Sequence, residues 1–204
     1  MFIFIYLISF EIILVTLTYN LKSKKLFYMK KIILLLLIIT TLSCCNKDDD
    51  TSKNPVNQLP PATQIGANKV GCLLDGQVFL PGNQPLSTNC FYQLVNGEYY
   101  FALALRKSDD QNILIGIDIG TNAKQIFQGE TYNLLEFTTN NASAAYIYGT
   151  FENFTNDVYT GELTITKLDP VNQIVSGTFW FDVEDTNGII HQIREGRFDM
   201  QYTQ

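Results

Sequence analysis

Beyond Val70 the chain is written in short runs where apolar and polar positions alternate. In EYYFALALRK, Tyr99, Phe101, Leu103 and Leu105 fall on one side, and Tyr100, Ala102, Ala104 and Arg106 on the other. NILIGIDIG sets Ile113, Ile115, Ile117 and Ile119 against Leu114, Gly116, Asp118 and Gly120. SGTFWFDVED sets Phe179, Phe181 and Val183 against Thr178, Trp180 and Asp182, and GRFDMQY turns Phe198, Met200 and Tyr202 inward. A period of two is that of a half-buried strand, since successive side chains leave opposite faces. Further strands are expected near 132–137, 144–148 and 159–167. No window holds a period of 3.6.

Tight-turn dipeptides punctuate these runs. Asp75-Gly76, Asn96-Gly97 and Asn187-Gly188 each sit between apolar segments. Asn or Asp followed by Gly supplies the two positive φ angles of a type I′ turn at low cost, so each pair predicts a hairpin. Nine or ten short strands with regular turns predict an all-β domain. We expect an antiparallel β-sandwich, with a lipocalin-like β-barrel as the alternative.

The first 43 residues have a different texture, almost continuously apolar with small lysine clusters. Met29-Lys30-Lys31 followed by IILLLLIITTL is a short positive region and an apolar stretch of eleven residues. A membrane-spanning helix needs about 20, so this stretch fits the core of a signal peptide. The preceding segment, MFIFIYLISFEIILVTLTYN, is long enough to span, but Glu11 lies near its middle, where a carboxylate costs about 2.5 kcal/mol or more. We therefore expect translation to start at Met29, with 1–28 an upstream apolar segment. The alternative is a genuine transmembrane helix and an inner-membrane location. The expected divisions are 1–28, a signal peptide at 29–44, a disordered tether at 45–68 and one β domain at 69–204. The tether is polar, aperiodic and carries Pro55, Pro60 and Pro61, so it offers little apolar area to offset its ordering entropy.

Charge narrows the classes of partner. The 204-residue chain carries a formal −6, but beyond residue 66 seven Lys and Arg face sixteen Asp and Glu, a net −9. Such a domain repels phosphate backbones, which argues against nucleic acid.

Two adjacent thiols end the apolar stretch. Leu42-Ser43-Cys44-Cys45 resembles a bacterial lipobox, in which a cysteine is cleaved at its amino side and lipidated. Cys45 is the favoured residue because Leu42 then stands at −3 and Cys-Asn-Lys-Asp-Asp-Asp follows; Cys44 is the alternative. That acidic sequence looks like the export signal of surface lipoproteins in the Bacteroidota. YTGELTITKLD, QIVSGTFWFDVED and IIHQIREGRFDMQY are similar to the C-terminal halves of uncharacterised outer-membrane lipoproteins of that group. The resemblance covers the lipobox and about the last 50 residues. It implies a small, lipid-anchored all-β domain with a membrane contact through its lipid; the role expected of that outward-facing domain is non-catalytic binding or structural. It carries over no catalytic residue and no cofactor.

The remaining candidates are few. Cys72 and Cys90 lie 18 residues apart in what would be an oxidising compartment, so a disulfide is expected, worth about 3 kcal/mol in the chain-entropy model. His191 is the only histidine, and no Gly-x-Ser-x-Gly elbow exists to pair with it. Asp182 and Glu184 share a strand face about 6.6 Å apart by strand rise, within the span of inverting glycosidases, as any i, i+2 acids would be. With Asp185 and Asn187 they offer oxygen ligands for calcium, without the full loop spacing; no metal or cofactor is expected. Trp180, Tyr100, Tyr146 and Tyr148 form a candidate aromatic patch for a glycan or protein partner. A carrier of a small apolar ligand would instead need an open interior lined by the Ile113–Ile119 face. A hydrolase would need a cleft where Asp182, Glu184 and His191 meet.

Overall fold

The structure, a computed structural model, describes residues 54–204. Eleven strands form one mostly antiparallel sheet: β1 (Lys69–Leu74), β2 (Gln77–Phe79), β3 (Thr88–Val95), β4 (Glu98–Ser108), β5 (Leu114–Thr121), β6 (Thr131–Leu134), β7 (Ala142–Tyr148), β8 (Phe151–Phe154), β9 (Gly161–Asp169), β10 (Ile174–Glu184) and β11 (Ile190–Gln201). The spatial order is β2-β1-β11-β10-β9-β6-β7-β5-β4-β3, with β8 paired to β7. Among the named strands only β6 and β7 meet in parallel, through Leu134 and Ala142. Just past β11, Thr203 pairs with Phe91 of β3, so the chain's end reaches the far strand of the order.

The alternation expected along the strands holds in three dimensions. Phe101, Leu103, Leu105, Ile117, Ile119, Phe179, Phe181, Val183, Phe198 and Met200 are all buried in one cluster. A fully buried Phe, Leu or Ile contributes about 1.5–3 kcal/mol, which makes this cluster the main cohesive element. Two hairpin turns form as their dipeptides imply, with positive φ at Asp75 and Gly76 and at Asn96 and Gly97. The third differs. Asp185 and Ile189 close the β10–β11 turn, and of Asn187-Gly188 only Gly188 has positive φ. Asp185 holds this turn by accepting the Asn187 and Ile189 amides, both at 2.8 Å. The side-chain cap fixes the loop where a type I′ turn was expected.

Strand β8 was not anticipated. Its sequence, Phe151-Glu152-Asn153-Phe154, is too short to show alternation, and it pairs only along β7 from Ala145 to Tyr148.

The expectation of a disordered tether to residue 68 is corrected for residues 54–68. A 3-10 turn, Pro55–Gln58, is capped by the Asn54 side chain, and Leu59 is buried. Asp199 explains why. It faces outward from β11, opposite to Phe198 and Met200, yet is only 1% exposed because the incoming chain covers it. Its carboxylate accepts from Thr63 Oγ1 at 2.6 Å, from the amides of Ile65, Gly66 and Ala67 at 3.1, 2.8 and 3.2 Å, and from Ser176 Oγ at 2.8 Å. One buried carboxylate thus orders a strap that apolar burial alone would not hold. Burial opposes its ionisation, but the hydrogen bonds from Thr63, Ser176 and the amides outweigh burial and bring the carboxyl down to about 2.

Candidate functional site: an outward-facing groove

The strand pairings place an unusual set of residues on the outer side of β3, β4, β5 and β7. One cross-strand row runs Phe91, Ala102, Gly120, Ser143. The next runs Asn89, Ala104, Asp118, Ala145 and Phe154, and a third includes Arg106 and Gly116. An outward sheet face normally carries longer polar side chains. Here the centre is Ala, Gly and Ser, leaving a trough of about 680 Å³. That lies in the size range of small-molecule sites. Phe91 and Tyr100 stand on one side, and Phe137 and Phe154 on the other. The latter two are stacked, with ring centroids 5.3 Å apart, and remain 57% and 37% exposed.

The polar element of the floor is an ion pair. Arg106 lays its stem over Gly116, where a Cβ would come within 2.9 Å of Arg106 Cδ. Its guanidinium forks onto Asp118, with Nη2 donating to Oδ2 at 2.6 Å and Nη1 to Oδ1. Nη1 also donates to the carbonyls of Leu105 and Ile117, at 3.1 and 3.3 Å. A planar two-point contact of this kind is geometrically specific and leaves the pair electrically neutral. Glu152 lines the same trough on the β8 side.

Of the aromatic residues singled out in the sequence, only Tyr100 lies here. Tyr146 is buried against His191, ring centroids 4.3 Å apart. Burial first, then the neighbouring Asp75, Tyr148 and Asp185, raises the Tyr146 phenol above its usual range. Tyr148 is partly exposed near the β7–β8 turn. Trp180 stands on the outer face of β10, donating to Glu162 at 3.2 Å beneath the Arg194 guanidinium, in a separate cleft of about 410 Å³. The expected four-residue patch therefore divides over three places, because the sheet order separates β4, β7 and β10.

The acids do not converge. Asp182 is bound by Arg194 at 2.6 Å, Glu184 is exposed, and Asp185 spends its oxygens on its own turn and on Asn187 Nδ2. Those turn amides, Ile189 foremost, hold the Asp185 carboxyl below its ordinary value. A calcium cage needs oxygens aimed at one point, and these are aimed apart. His191 Nδ1 lies 2.8 Å from Asp75 and Nε2 3.7 Å from Asp185, an arrangement that ties two hairpin turns together.

Cys72 and Cys90 are corrected as well. They sit on β1 and β3, strands that do not pair with each other, and both are buried free thiols. Burial pushes each to about 12, so neither is a nucleophile near neutral pH. Cys44 and Cys45 lie outside the described residues.

A second cleft, about 690 Å³, opens at the end of the sheet between Tyr92, Tyr99 and Tyr202. Its tyrosines are engaged with one another: Tyr92 stacks on Tyr99 and meets Tyr202 edge-on, and its hydroxyl takes the Ile126 amide. In the outward trough Phe137 and Phe154 stack on each other, yet both remain exposed. No family model, curated protein or solved structure matches the chain.

The trough was missed at the sequence level although its signal was present. Ala102, Ala104, Gly116 and Gly120 occupy outward positions of two adjacent runs. Small residues at neighbouring outward positions leave that layer of the face thinly covered. Ser143 needed the β5–β7 pairing, and Phe154 the β7–β8 pairing, before they and Phe137 could be added.

Proposed function

We propose that this chain is a lipid-anchored surface protein whose β domain binds a ligand, without chemistry, in the trough across β3, β4, β5, β7 and β8. The observation that carries the reading is the outward floor of Ala102, Ala104, Gly120, Ser143 and Ala145 between aromatic walls that include the exposed Phe137 and Phe154. An exposed apolar concavity on a folded domain is a binding feature far more often than a neutral one. The packing of Leu103, Leu105, Ile117, Ile119 and Phe181, each fully buried, favours this surface site over a ligand carried inside. The separation of Asp182, Glu184 and His191 speaks against a hydrolase. Anchoring rests on the lipobox-like Leu42-Ser43-Cys44-Cys45 and the acidic run after it.

Two measurements test the two halves. Methyl NMR against a library of small neutral, charged and aromatic fragments should move the Ala102, Ala104 and Ala145 signals first; hits that gather elsewhere sink the trough as the site. Metabolic labelling with a fatty-acid analogue should persist in Cys44→Ser and vanish in Cys45→Ser. Labelling of neither wild type nor variants would remove the anchor.

A further inference from the structure

We infer that the ligand of the trough is an uncharged oligosaccharide, laid across the strands as a row of several rings. This rests on the trough being the binding site and adds the chemistry of what fills it.

Charge comes first. Among the described residues Arg106 is the only Lys or Arg lining the trough, and both of its Nη atoms are engaged, by Asp118 and two carbonyls. A phosphate, sulfate or carboxylate ligand would meet no unpaired cation among the described residues of the lining and would face Glu152. A cationic ligand would find Asp118 already neutralised and would have only the exposed Glu152, where a lone solvent-facing ion pair adds little. An acyl chain would strip water from the Arg106–Asp118 pair, which is partly exposed in the floor, and return no hydrogen bond for it. An uncharged ring with apolar C–H faces and hydroxyl edges suits both features. Its faces lie on aromatic surfaces, and its hydroxyls reach the outer lone pairs of Asp118 and the amide groups of Gln93 and Asn122, which also line the trough.

Geometry sets the length. Between Phe91 on β3 and Phe154 on β8 lie β4, β5 and β7, hence four strand spacings or about 19 Å of unrolled sheet. The two aromatic walls therefore cannot clamp one ring. Each serves a different ring of a chain that crosses the small-residue floor, where Ala and Gly let the chain lie close to the backbone.

The test is retention of the detergent-solubilised full chain on an array holding uncharged oligosaccharides of one to six rings, their carboxylated and sulfated counterparts, and short aromatic peptides. Phe137→Ala, Phe154→Ala and, as a control on the far β9–β10 turn, Val171→Ala are run beside it. Phe137 and Phe154 are exposed, so both variants should fold, and matching melting curves establish that. The expected result is binding that rises with ring number, prefers uncharged chains, and weakens roughly tenfold on loss of either Phe but not Val171. Retention of charged glycans or peptides that is still lost with Phe137 or Phe154 overturns the glycan and leaves the trough as the site. Glycan binding indifferent to both substitutions overturns the trough as well. No retention of any uncharged glycan overturns the inference, while the methyl NMR experiment continues to judge the site.

Discussion

Replacing Asp199 with asparagine removes one charge and turns one of two acceptor oxygens into a donor, while changing almost nothing in volume. The wild-type carboxylate collects five donors, three of them backbone amides of the strap. Its folded-state value of about 2, against 3.8 for the free group, corresponds to about 2 kcal/mol of preference for the ionised form. Because the folded value is the lower one, that contribution is complete above about pH 5 and is lost as pH falls through 2. In the wild type about 1 kcal/mol should disappear between pH 5 and pH 3 from this residue, and about 2 kcal/mol by pH 2. In Asp199→Asn that share of the pH dependence should be absent. The variant should also be less stable at pH 7 by about 2–4 kcal/mol, since strap amides lose their acceptor in a site closed to water. Urea unfolding read by Trp180 fluorescence at pH 7, 5, 3 and 2 gives both quantities. Amide exchange then locates the effect: Ile65, Gly66 and Ala67 should exchange at least tenfold faster in the variant, while Ile117 and Ile119 track global stability. Parallel pH profiles for wild type and variant would refute the assignment of the carboxylate as the strap's clasp.

Other consequences can be checked separately. Thr155, 1% exposed, donates from Oγ1 to the Leu135 carbonyl at 2.6 Å and accepts the Ala144 amide at 3.0 Å, so Thr155→Val should cost about 1–3 kcal/mol in urea unfolding. Phe181→Ala, emptying a fully buried site, should cost about 3–5 kcal/mol by the same method. Cys72 and Cys90, pushed up to about 12, should resist a thiol reagent at pH 8 in the native protein and react fully in denaturant; fast native labelling of either would contradict their burial. Tyr146 should ionise above the ordinary tyrosine range in an ultraviolet titration, together with Tyr92, Tyr132 and Tyr202, and Tyr146→Phe should lower the amplitude of that late component without abolishing it.

How far the sequence could be read depends on where each signal is stored. Strand faces are local properties: Leu103 and Leu105, or Ile117 and Ile119, declare their side through their neighbours two positions away. The Asp75-Gly76 and Asn96-Gly97 turns are local too, since positive φ is a demand on two residues. Asp185 shows the limit, because a side-chain cap on the Asn187 and Ile189 amides changed the turn that Asn187-Gly188 alone implies. The trough was half legible, in Ala102, Ala104, Gly116 and Gly120. Its far wall was hidden because Phe137 and Phe154 join Phe91 only through the pairing of β7 with β5 and β8. Asp199 was illegible for the same reason: nothing near it in sequence announces that residues 63–67 will come to its carboxylate. The Trp180 patch failed because aromatics on three strands say nothing of how far apart those strands lie or, as buried Tyr146 shows, which face each will take.

The pairing of the first strand with the last has a kinetic side. Lys69 meets Asp199 and Val70 meets Phe198, contacts between chain segments some 130 residues apart. Loop closure over that length must be paid before the ladder returns any energy, and sheets built this way fold slowly, in milliseconds to seconds. While the chain is being synthesised, β1 has no partner on its β11 side until β11 (Ile190–Gln201) emerges. That delay leaves an apolar strand uncovered, so escort by a chaperone, or prompt arrival of β11, decides between folding and aggregation.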